Sequence, residues 1–287
     1  MLVDFYLCGQ KGLSALRVVQ NYPSRISVIN LARDVGTLDD PFEEMSSLCR
    51  EKGIDVCTND YRPRSKYAFS VGWKKMIKAE YKKLFVIHDS LLPKYRGWNP
   101  LVTALQNRDE QIGITFFRAT DEFDRGPIIW QEGFEIEYPI TIQEAINIVS
   151  NSIENLTLRL LSNTEPYEFE EHAQNEADAT YSIWRDNDDY RIDWSNSSTK
   201  IINFIDSVSY PYLGALTTYQ GRNLRIKTAE ILPDLKIINR TPGKILEIEN
   251  GLPTVVCGKG LIRLLRFAED NEGSKEFLIS SIKSKFN

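Results

Sequence analysis

The chain has only two histidines, and one of them, His88, lies where residue types could support proton chemistry. Residues 84–87 have the β-branched and aromatic pattern of a strand, and the segment that follows is turn-prone up to Gly97 and Pro100. Ligands bind at the carboxyl ends of strands in open α/β sheets, which is where this pattern predicts the imidazole. His88 is therefore the first candidate catalytic residue.

A second candidate, Asp124, follows 36 positions later in a carboxylate-rich loop beside another strand-like segment. An imidazole can take up or release a proton near neutral pH, and a carboxylate next to it can hold its tautomer and stabilise its charged form. On neighbouring loops the two groups would form a proton-handling pair. From position alone, His88 could also be a structural histidine at a strand end.

Composition narrows the class of protein. The 287 residues are 42% hydrophobic and 26% charged, with no apolar run near the about 20 residues that a membrane span needs. The first residues enter a strand pattern without a basic stretch, so we expect no secretory signal and a cytoplasmic location. Four cysteines without a Cys-x-x-Cys pair, together with two histidines, predict neither disulfides nor a bound metal.

The net charge of −5 offers no general attraction for a polyanion such as tRNA. A local patch can differ from the total, because residues 206–287 hold 12 lysines and arginines against 9 acidic residues, a net of +3. Charge therefore disfavours a nucleic-acid partner without excluding one.

The elements that must position these residues follow from periodicity. Strand-like segments alternate with helical spacing through the first half, which predicts an α/β, Rossmann-like domain with a largely parallel sheet covered on both faces. A helix is predicted over 142–161, packed on that sheet. The predicted strands are residues 3–7, 26–29, 54–57, 67–70, 84–87, 113–117 and 127–131.

The pattern changes in the second half. Acidic residues far outnumber the single basic residue Arg185 between 165 and 189, which predicts a connector over about 165–190. After a helix near 199–208, strand-like pieces separated by glycines and a proline predict a small, OB-like barrel of antiparallel strands. The expected organisation is a catalytic domain over 1–185 and a small C-terminal β-domain over 191–287.

Two motifs carry a family resemblance: HDSLLPKYRG at 88–97 and DRGPI at 124–128. Together they resemble the formyltransferases that use N10-formyltetrahydrofolate, especially the sugar N-formyltransferases. The segments RIDW, YPYLGA, GKIL and CGKG, starting at 191, 210, 243 and 257, are similar to the small C-terminal β-domain of that family. The resemblance covers nearly the whole chain. It implies N10-formyltetrahydrofolate as co-substrate and a nucleotide-linked amino sugar of bacterial surface polysaccharides, such as lipopolysaccharide, as acceptor.

The resemblance also implies roles for the two candidates. His88 would act on the reacting formyl and amine groups, and Asp124 would orient the imidazole and pass on the amine proton. The family commonly has an asparagine two residues before the histidine, where its amide donates to the formyl oxygen, and this chain has Val86. Such a donor can be worth about 3 kcal/mol. Asn99 is an uncertain substitute, since a surface turn is at least as well expected there, and a backbone N–H would also serve.

The family's pterin lies along a loop that corresponds to residues 70–77, with the loop 119–124 as its opposite wall. The expected folate contacts are Met76, Ile77, Ala119, Asp121 and Asp124. The backbone at the Gly9 turn could approach a phosphate, and the side chains of Lys94 and Arg96 could donate hydrogen bonds to a pyrophosphate. The expected substrate contacts are Cys8, Gly9, Lys11, Ser90, Lys94, Arg96 and Trp98. The alternatives are a packed helix start near Trp73, a tight strand-to-helix turn at Gly9, and solvated loop charges.

Two other functions stay open. Methionyl-tRNA formyltransferase shares the first motif and a C-terminal β-domain. The acidic total argues against it, and the segment RGWNP at 96–100 looks more like the sugar enzymes. A catalytically weakened folate or nucleotide-sugar binding protein is the alternative motivated by Val86. The nucleotide, the sugar, the position of the amine and the assembly, monomer or homodimer, are not determined by these patterns.

Overall fold

The computed structural model describes residues 2–59, 61–78, 80–162, 167–270 and 277–287. The chain forms two compact units. The first comprises Met1–Leu101, Glu110–Ile136 and Glu144–Ile183, and the second comprises Val102–Asp109, Glu137–Gln143 and Trp184–Asn287. The domain boundary expected between 185 and 191 stays a prediction.

The first unit is built on a seven-stranded sheet in the order β3-β2-β1-β4-β5-β7-β8. The first five strands in this order run parallel, and β7 is antiparallel to both of its neighbours. The predicted largely parallel, Rossmann-like sheet is confirmed. The strands of this unit are β1 (Val3–Cys8), β2 (Ile26–Ala32), β3 (Val56–Cys57), β4 (Tyr67–Val71), β5 (Lys83–His88), β6 (Arg96–Gly97), β7 (Gln111–Arg118), β8 (Ile128–Glu135) and β9 (Tyr181–Ser182).

Five α-helices accompany the described strands of the two units. They are α1 (Gly9–Val19), α2 (Phe42–Glu51), α3 (Pro100–Asn107), α4 (Ile142–Ser162) and α5 (Ser198–Ser207). Helix α4 confirms the predicted helix over 142–161, because its apolar residues at helical spacing are buried. Its polar residues meet β8, where Ser152 donates to the Glu132 carboxylate and the Arg159 guanidinium lies 5.7 Å from the ring centroid of Trp130.

The two faces of the sheet differ in chemistry. One face carries a row of phenylalanine rings with centroids 5.3 to 6.0 Å apart, formed by Phe5, Phe69, Phe85 and Phe116. On the opposite face, strand register places Tyr6, Ser70 and Val86 in one row across β1, β4 and β5. His88 follows Val86 by two positions and so lies on the same face. The candidate histidine therefore belongs to the more polar side of the sheet.

The second unit is an antiparallel sheet of five strands in the order β10-β11-β14-β13-β12, with α5 against β11 and β14. Asn287 exchanges backbone hydrogen bonds with Thr218 in the first edge strand, and the Phe286 N–H donates to the Gly243 carbonyl just before the other edge strand. These bonds join the C-terminal residues to both ends of the sheet. The predicted antiparallel strands are confirmed, and the barrel stays a prediction. The strands are β10 (Ala215–Tyr219), β11 (Arg222–Leu232), β12 (Ile245–Glu249), β13 (Leu252–Val256) and β14 (Leu261–Glu269).

Within the described ranges, every helix is too short or too polar to cross a membrane. The same residues contain no group of three or more histidine, cysteine, aspartate or glutamate side chains placed to hold a metal ion. The four cysteines are free thiols.

Candidate active site

His88 is the last residue of β5, and its side chain is 8% exposed. Its Nε2 lies 3.0 Å from the backbone carbonyl oxygen of Tyr95. Because a carbonyl oxygen only accepts hydrogen bonds, Nε2 carries the proton and Nδ1 keeps a free lone pair in the neutral ring. The backbone of the following loop thus sets the tautomer of His88.

The Asp124 carboxylate stands beside the other ring nitrogen. Its Oδ2 is 3.8 Å from Nδ1 of His88, too far for a hydrogen bond, and it accepts one from the Gly97 N–H at 2.7 Å. The expected pair is therefore brought together, with one correction. Asp124 does not hold the tautomer, which Tyr95 does, and its carboxylate instead faces the nitrogen that can take up a proton.

Residues 89–97, the histidine loop, are tied to the sheet by a strand residue that sequence patterns did not reveal. Thr115 on β7 donates to the Ser90 carbonyl at 2.6 Å and accepts from the Leu92 N–H at 3.0 Å. Gln131 on β8 donates to the Leu92 carbonyl at 2.8 Å. A threonine and a glutamine in strands are ordinary sheet residues, so nothing in their spacing marks them as loop anchors.

Arg96 joins the histidine loop to the loop that carries Asp124. Its side chain is 1% exposed, and it donates to the Gln174 amide oxygen and the Glu176 carboxylate over 2.7 to 3.0 Å. Gln174 in turn donates to the carbonyls of Asp124 and Gly126 at 2.7 and 2.8 Å. We call Arg96, Gln174 and Glu176 the clamp. The expected pyrophosphate contact of Arg96 is corrected, because its buried guanidinium is directed at the protein's own side chains.

The acidic segment expected as a connector supplies the clamp. Residues 167–183 belong to the first unit, where β9 pairs with β6 and where Ile128 and His172 exchange backbone hydrogen bonds at 2.8 Å. Arg125 donates to the Tyr181 hydroxyl at 3.0 Å, and hydrogen bonds from Arg96 and Arg125 lower the pKa of Tyr181. Residues 165 and 166 of the expected connector lie outside the described residues.

Lys11, expected near a phosphate, forms an ion pair with Asp89, the neighbour of His88. Nζ lies 2.6 Å from Oδ2, and the two side chains are 22% and 14% exposed. Burial acts to raise the pKa of Asp89, yet the Lys11 ammonium and then His88 hold it below its ordinary value. The ammonium is thus already compensated by a carboxylate of the chain, which weakens the case for a phosphate contact.

Cys8 and Gly9 form the tight strand-to-helix turn. Gly9 has a φ of 64°, and a Cβ there would lie 2.4 Å from Oδ2 of Asp34. The Cys8 thiol is buried, and burial raises its pKa to about 12, so it stays neutral. That Asp34 carboxylate forms an ion pair with the Lys74 ammonium. The tight turn and packing account for both residues, and the expected substrate contacts at Cys8 and Gly9 stay predictions.

The remaining substrate candidates lie on or next to the histidine loop. The Ser90 hydroxyl donates to the Lys94 carbonyl at 2.6 Å, so its proton is used inside the loop, whereas the Lys94 side chain is exposed. Trp98 is half-buried, and its backbone N–H donates to the Ser182 carbonyl at 2.9 Å. Asn99 has a φ of 50°, a conformation typical of an asparagine in a turn.

The expected folate residues lie on two loops. Residues 72–78 form no helix, and there Met76 is 38% exposed and Ile77 is half-buried. Trp73 packs edge-on against Tyr6, with ring centroids 5.1 Å apart. On the second loop, the Ala119 N–H donates to the carbonyl of Leu84 in β5 at 2.8 Å, so this donor is used within the sheet. Asp121 is exposed.

Two family descriptions match the chain. "Formyl transferase" matches residues 72–162, and "Formyl transferase, C-terminal domain" matches residues 185–280. A methionyl-tRNA formyltransferase from Streptococcus sanguinis strain SK36 is 32% identical over 178 residues, which cover 62% of this chain and 56% of that enzyme. The match therefore spans little more than half the length of this curated relative.

Solved structures share the fold. An N-formyltransferase from Helicobacter canadensis, in complex with folinic acid and dTDP-3-aminofucose, superposes with a TM-score of 0.67 at 18% identity over 92% of this chain and 99% of its own. HypX from Aquifex aeolicus superposes with a TM-score of 0.64 at 18% identity over 97% of this chain and 46% of its own. The motifs at 88–97 and 124–128 both lie inside the first matched region. With its N-terminal and C-terminal parts both matched, the chain belongs to the formyl transferase family.

Proposed function

We propose that this protein transfers the formyl group of N10-formyltetrahydrofolate to the primary amine of a nucleotide-linked amino sugar. The proposal is carried by the geometry of His88, whose Nε2 is bonded to Tyr95 while its Nδ1 faces Asp124 at 3.8 Å. Formyl transfer must remove a proton from the attacking amine. A proton acceptor with a carboxylate beside it suits that step.

Each residue of the pair has a distinct task. His88 accepts the amine proton at Nδ1, because its Nε2 proton stays bonded to the Tyr95 carbonyl. Asp124 then stabilises the imidazolium, and its own position is held by the Gly97 N–H. Both side chains are largely buried, so water screens their attraction weakly. N10-formyltetrahydrofolate, when bound, supplies the formyl carbonyl that the amine attacks.

The residues around the pair fit a reduced folate. Met76 and Ile77 offer apolar surface on the loop after β4, next to Trp73. Ser70 adds a buried hydroxyl near the end of β4, and Asp121 adds a carboxylate on the opposite loop. Apolar walls with a few polar groups are what a flat heteroaromatic ring needs. We assign these residues, with Asp124, to the folate end of the site.

An amino-sugar nucleotide is the acceptor favoured by two observations. The solved N-formyltransferase with dTDP-3-aminofucose corresponds to this chain over nearly the full length of both. The net charge of −5 also gives little attraction for a polyanion. Synthesis of a bacterial surface polysaccharide in the cytoplasm is the setting that we propose for this reaction.

Methionyl-tRNA is the second candidate acceptor. The relative from Streptococcus sanguinis at 32% identity favours it, as does the net of +3 over residues 206–287, where 12 basic residues stand against 9 acidic ones. A folate or nucleotide-sugar binding protein with weakened catalysis is the third candidate, motivated by Val86 at the family's asparagine position.

The acceptor is tested by mass spectrometry. The protein is incubated with N10-formyltetrahydrofolate and, separately, with dTDP-, UDP- and GDP-linked amino sugars and with methionyl-tRNA. We expect one amino sugar to gain the mass of a formyl group and the tRNA to stay unmodified, with His88→Ala as the inactive control. Formylation of methionyl-tRNA alone would overturn the sugar assignment. Folate binding without formylation of any acceptor would favour the binding protein.

A further inference from the structure

We propose that the Ser70 hydroxyl donates the hydrogen bond to the formyl oxygen that the related enzymes take from an asparagine two residues before the histidine. Ser70 would then be a catalytic residue of this chain, and Val86 would be tolerated because its task is performed from the neighbouring strand. The proposal rests on the proposed function for its formyl donor and does not depend on which amine is the acceptor.

Strand register places Ser70 where the missing amide would be. Ser70 on β4 and Val86 on β5 are direct partners in the parallel ladder. Partners in neighbouring strands point to the same face, and the strands lie about 4.8 Å apart. His88 follows on that face two residues beyond Val86. A group reaching from Ser70 therefore approaches the same space as a side chain at position 86.

The hydroxyl of Ser70 has no partner within the described part of the chain. Only 4% of the residue is exposed, yet none of its described neighbours forms a hydrogen bond with Oγ. Some unpartnered polar atoms of the described residues are fully enclosed by protein, such as Oδ1 of Asp4 and Oδ1 of Asn30, but Ser70 Oγ is not one of them. The oxygen must therefore keep an opening to solvent. A buried hydroxyl that is unpaired in the protein gains a hydrogen bond when a ligand oxygen arrives.

Two other hydroxyls near His88 already donate to backbone carbonyls. Thr115 donates to the Ser90 carbonyl, and Ser90 donates to the Lys94 carbonyl, both at 2.6 Å. Asn99 lies in the turn at the end of the histidine loop and has hydrogen-bonding or ionic contacts of its own. Of the three hydroxyls of Ser70, Ser90 and Thr115, that of Ser70 is the one with no acceptor in the described part of the chain.

In the transfer, the amine nitrogen forms a bond to the formyl carbon, and the carbonyl electron pair moves to oxygen. The pair returns as the bond from that carbon to N10 breaks, and the amine proton passes through His88 to N10. Ser70 keeps its proton throughout. It donates a hydrogen bond that strengthens as negative charge develops on the oxygen, which is the property that accelerates the step.

An infrared experiment tests this contact without turnover. N10-formyltetrahydrofolate with a 13C-labelled formyl carbonyl is bound to the parent protein, to Ser70→Ala and to Ser14→Ala, a buried serine on α1. We expect the carbonyl band of the bound donor to lie below that of the free donor in the parent and in Ser14→Ala. In Ser70→Ala most of that shift should be lost. An unchanged band in Ser70→Ala would refute the proposal, whichever acceptor is the right one.

Kinetics provide a second test. Ser70→Ala should lower kcat by about 100-fold, the scale of an oxyanion donor, with little change in KM for the formyl donor. Val86→Asn should change the parent little, but in the Ser70→Ala background it should restore kcat by about tenfold or more. Near-normal kcat in a folded Ser70→Ala protein contradicts the proposal. So does a rise of about tenfold or more for Val86→Asn in the parent, which would mean that the donor is missing.

Discussion

At the scale of single residues, the two nitrogens of His88 have different partners. Nε2 is bonded to a backbone carbonyl and Nδ1 faces a carboxylate that does not touch it. Nε2 therefore fixes the orientation of the ring, while Nδ1 is available to accept a proton. Asp124 is then free to act as a countercharge, which is worth most when the imidazole is charged and buried.

We expect His88→Ala and Asp124→Ala each to lower kcat by at least about 100-fold without unfolding the protein. His88→Ala removes the proton acceptor, and Asp124→Ala removes the charge that stabilises the imidazolium. His172→Ala is the matched control, because it replaces the other histidine, whose side chain is 65% exposed. Steady-state kinetics together with circular dichroism measure the effect. A folded His88→Ala protein with near-normal kcat would remove His88 from the mechanism.

The ion pair of Lys11 and Asp89 predicts a pH-dependent stability. The folded-state pKa of Asp89 lies below its ordinary value, so the pair stabilises the fold fully above a pH of about 4 and loses this effect as the pH falls through the folded-state pKa. Lys11→Met should lower the free energy of unfolding by about 1 to 2 kcal/mol near pH 7. As the pH falls through the lowered folded-state pKa of Asp89, the difference should shrink.

Urea unfolding at a series of pH values measures this effect, with Lys94→Met as an exposed lysine control. A deficit of equal size in Lys11→Met across the whole pH series, down to the acid limit of the folded state, would show that the stabilisation comes from packing of the lysine stem and not from the charge pair.

At the scale of elements, the strands with strong periodicity were predictable, and so was α4, whose apolar residues repeat at helical spacing. The histidine loop was predictable because its motif is continuous in sequence. The clamp was not, because Gln174 and Glu176 lie about 80 positions from Arg96 in an acidic segment that resembles solvated loop. Strands β6 and β9 have two residues each, too few to show any periodicity.

The clamp predicts a loss of activity from a change outside the pair. Gln174→Ala removes the hydrogen bonds to the carbonyls of Asp124 and Gly126, so the Asp124 loop should lose its attachment to Arg96. We expect kcat to fall by about tenfold or more, since small misplacements of a catalytic group are costly, with KM nearly unchanged. Backbone hydrogen exchange over 120–126 should accelerate.

Asn175→Ala is the neighbouring control, because that side chain bonds within its own exposed turn. Equal kinetic effects of Gln174→Ala and Asn175→Ala would mean that the segment matters only for general stability. Parent-like exchange over 120–126 in Gln174→Ala would contradict the attachment.

At the scale of the whole molecule, the distribution of charge bears on whether the acceptor is a nucleotide-linked amino sugar or methionyl-tRNA. The chain carries −5 in total, while residues 206–287 carry 12 basic against 9 acidic residues. Binding of tRNA depends on many phosphate contacts and weakens steeply with salt, whereas a nucleotide sugar presents two phosphates at most. Salt dependence therefore tests which kind of acceptor the protein uses.

For an amino-sugar acceptor, we expect kcat/KM to fall by less than about tenfold between 50 and 200 mM salt. For an acceptor bound through six or more phosphates, the loss over that range would be about a thousandfold. The folate concentration is kept saturating so that only the acceptor is titrated. A loss of the larger size with the acceptor found by mass spectrometry would argue for a polyanion.

The clamp also determines when, during synthesis, the histidine loop can reach its final geometry. Arg96 leaves the ribosome well before Gln174 and Glu176, which follow 78 and 80 positions later. Until they emerge, the guanidinium lacks these two partners, and the hydrogen bond from the Gly97 N–H to the Asp124 carboxylate joins the two loops without the clamp. The growing chain thus contains every residue of the proton-handling pair before it has the geometry of the pair. Chains that end at 162 and at 183 should differ in hydrogen exchange at Tyr95 and Arg96, whose N–H groups donate to Thr180 and should be protected in the longer chain alone.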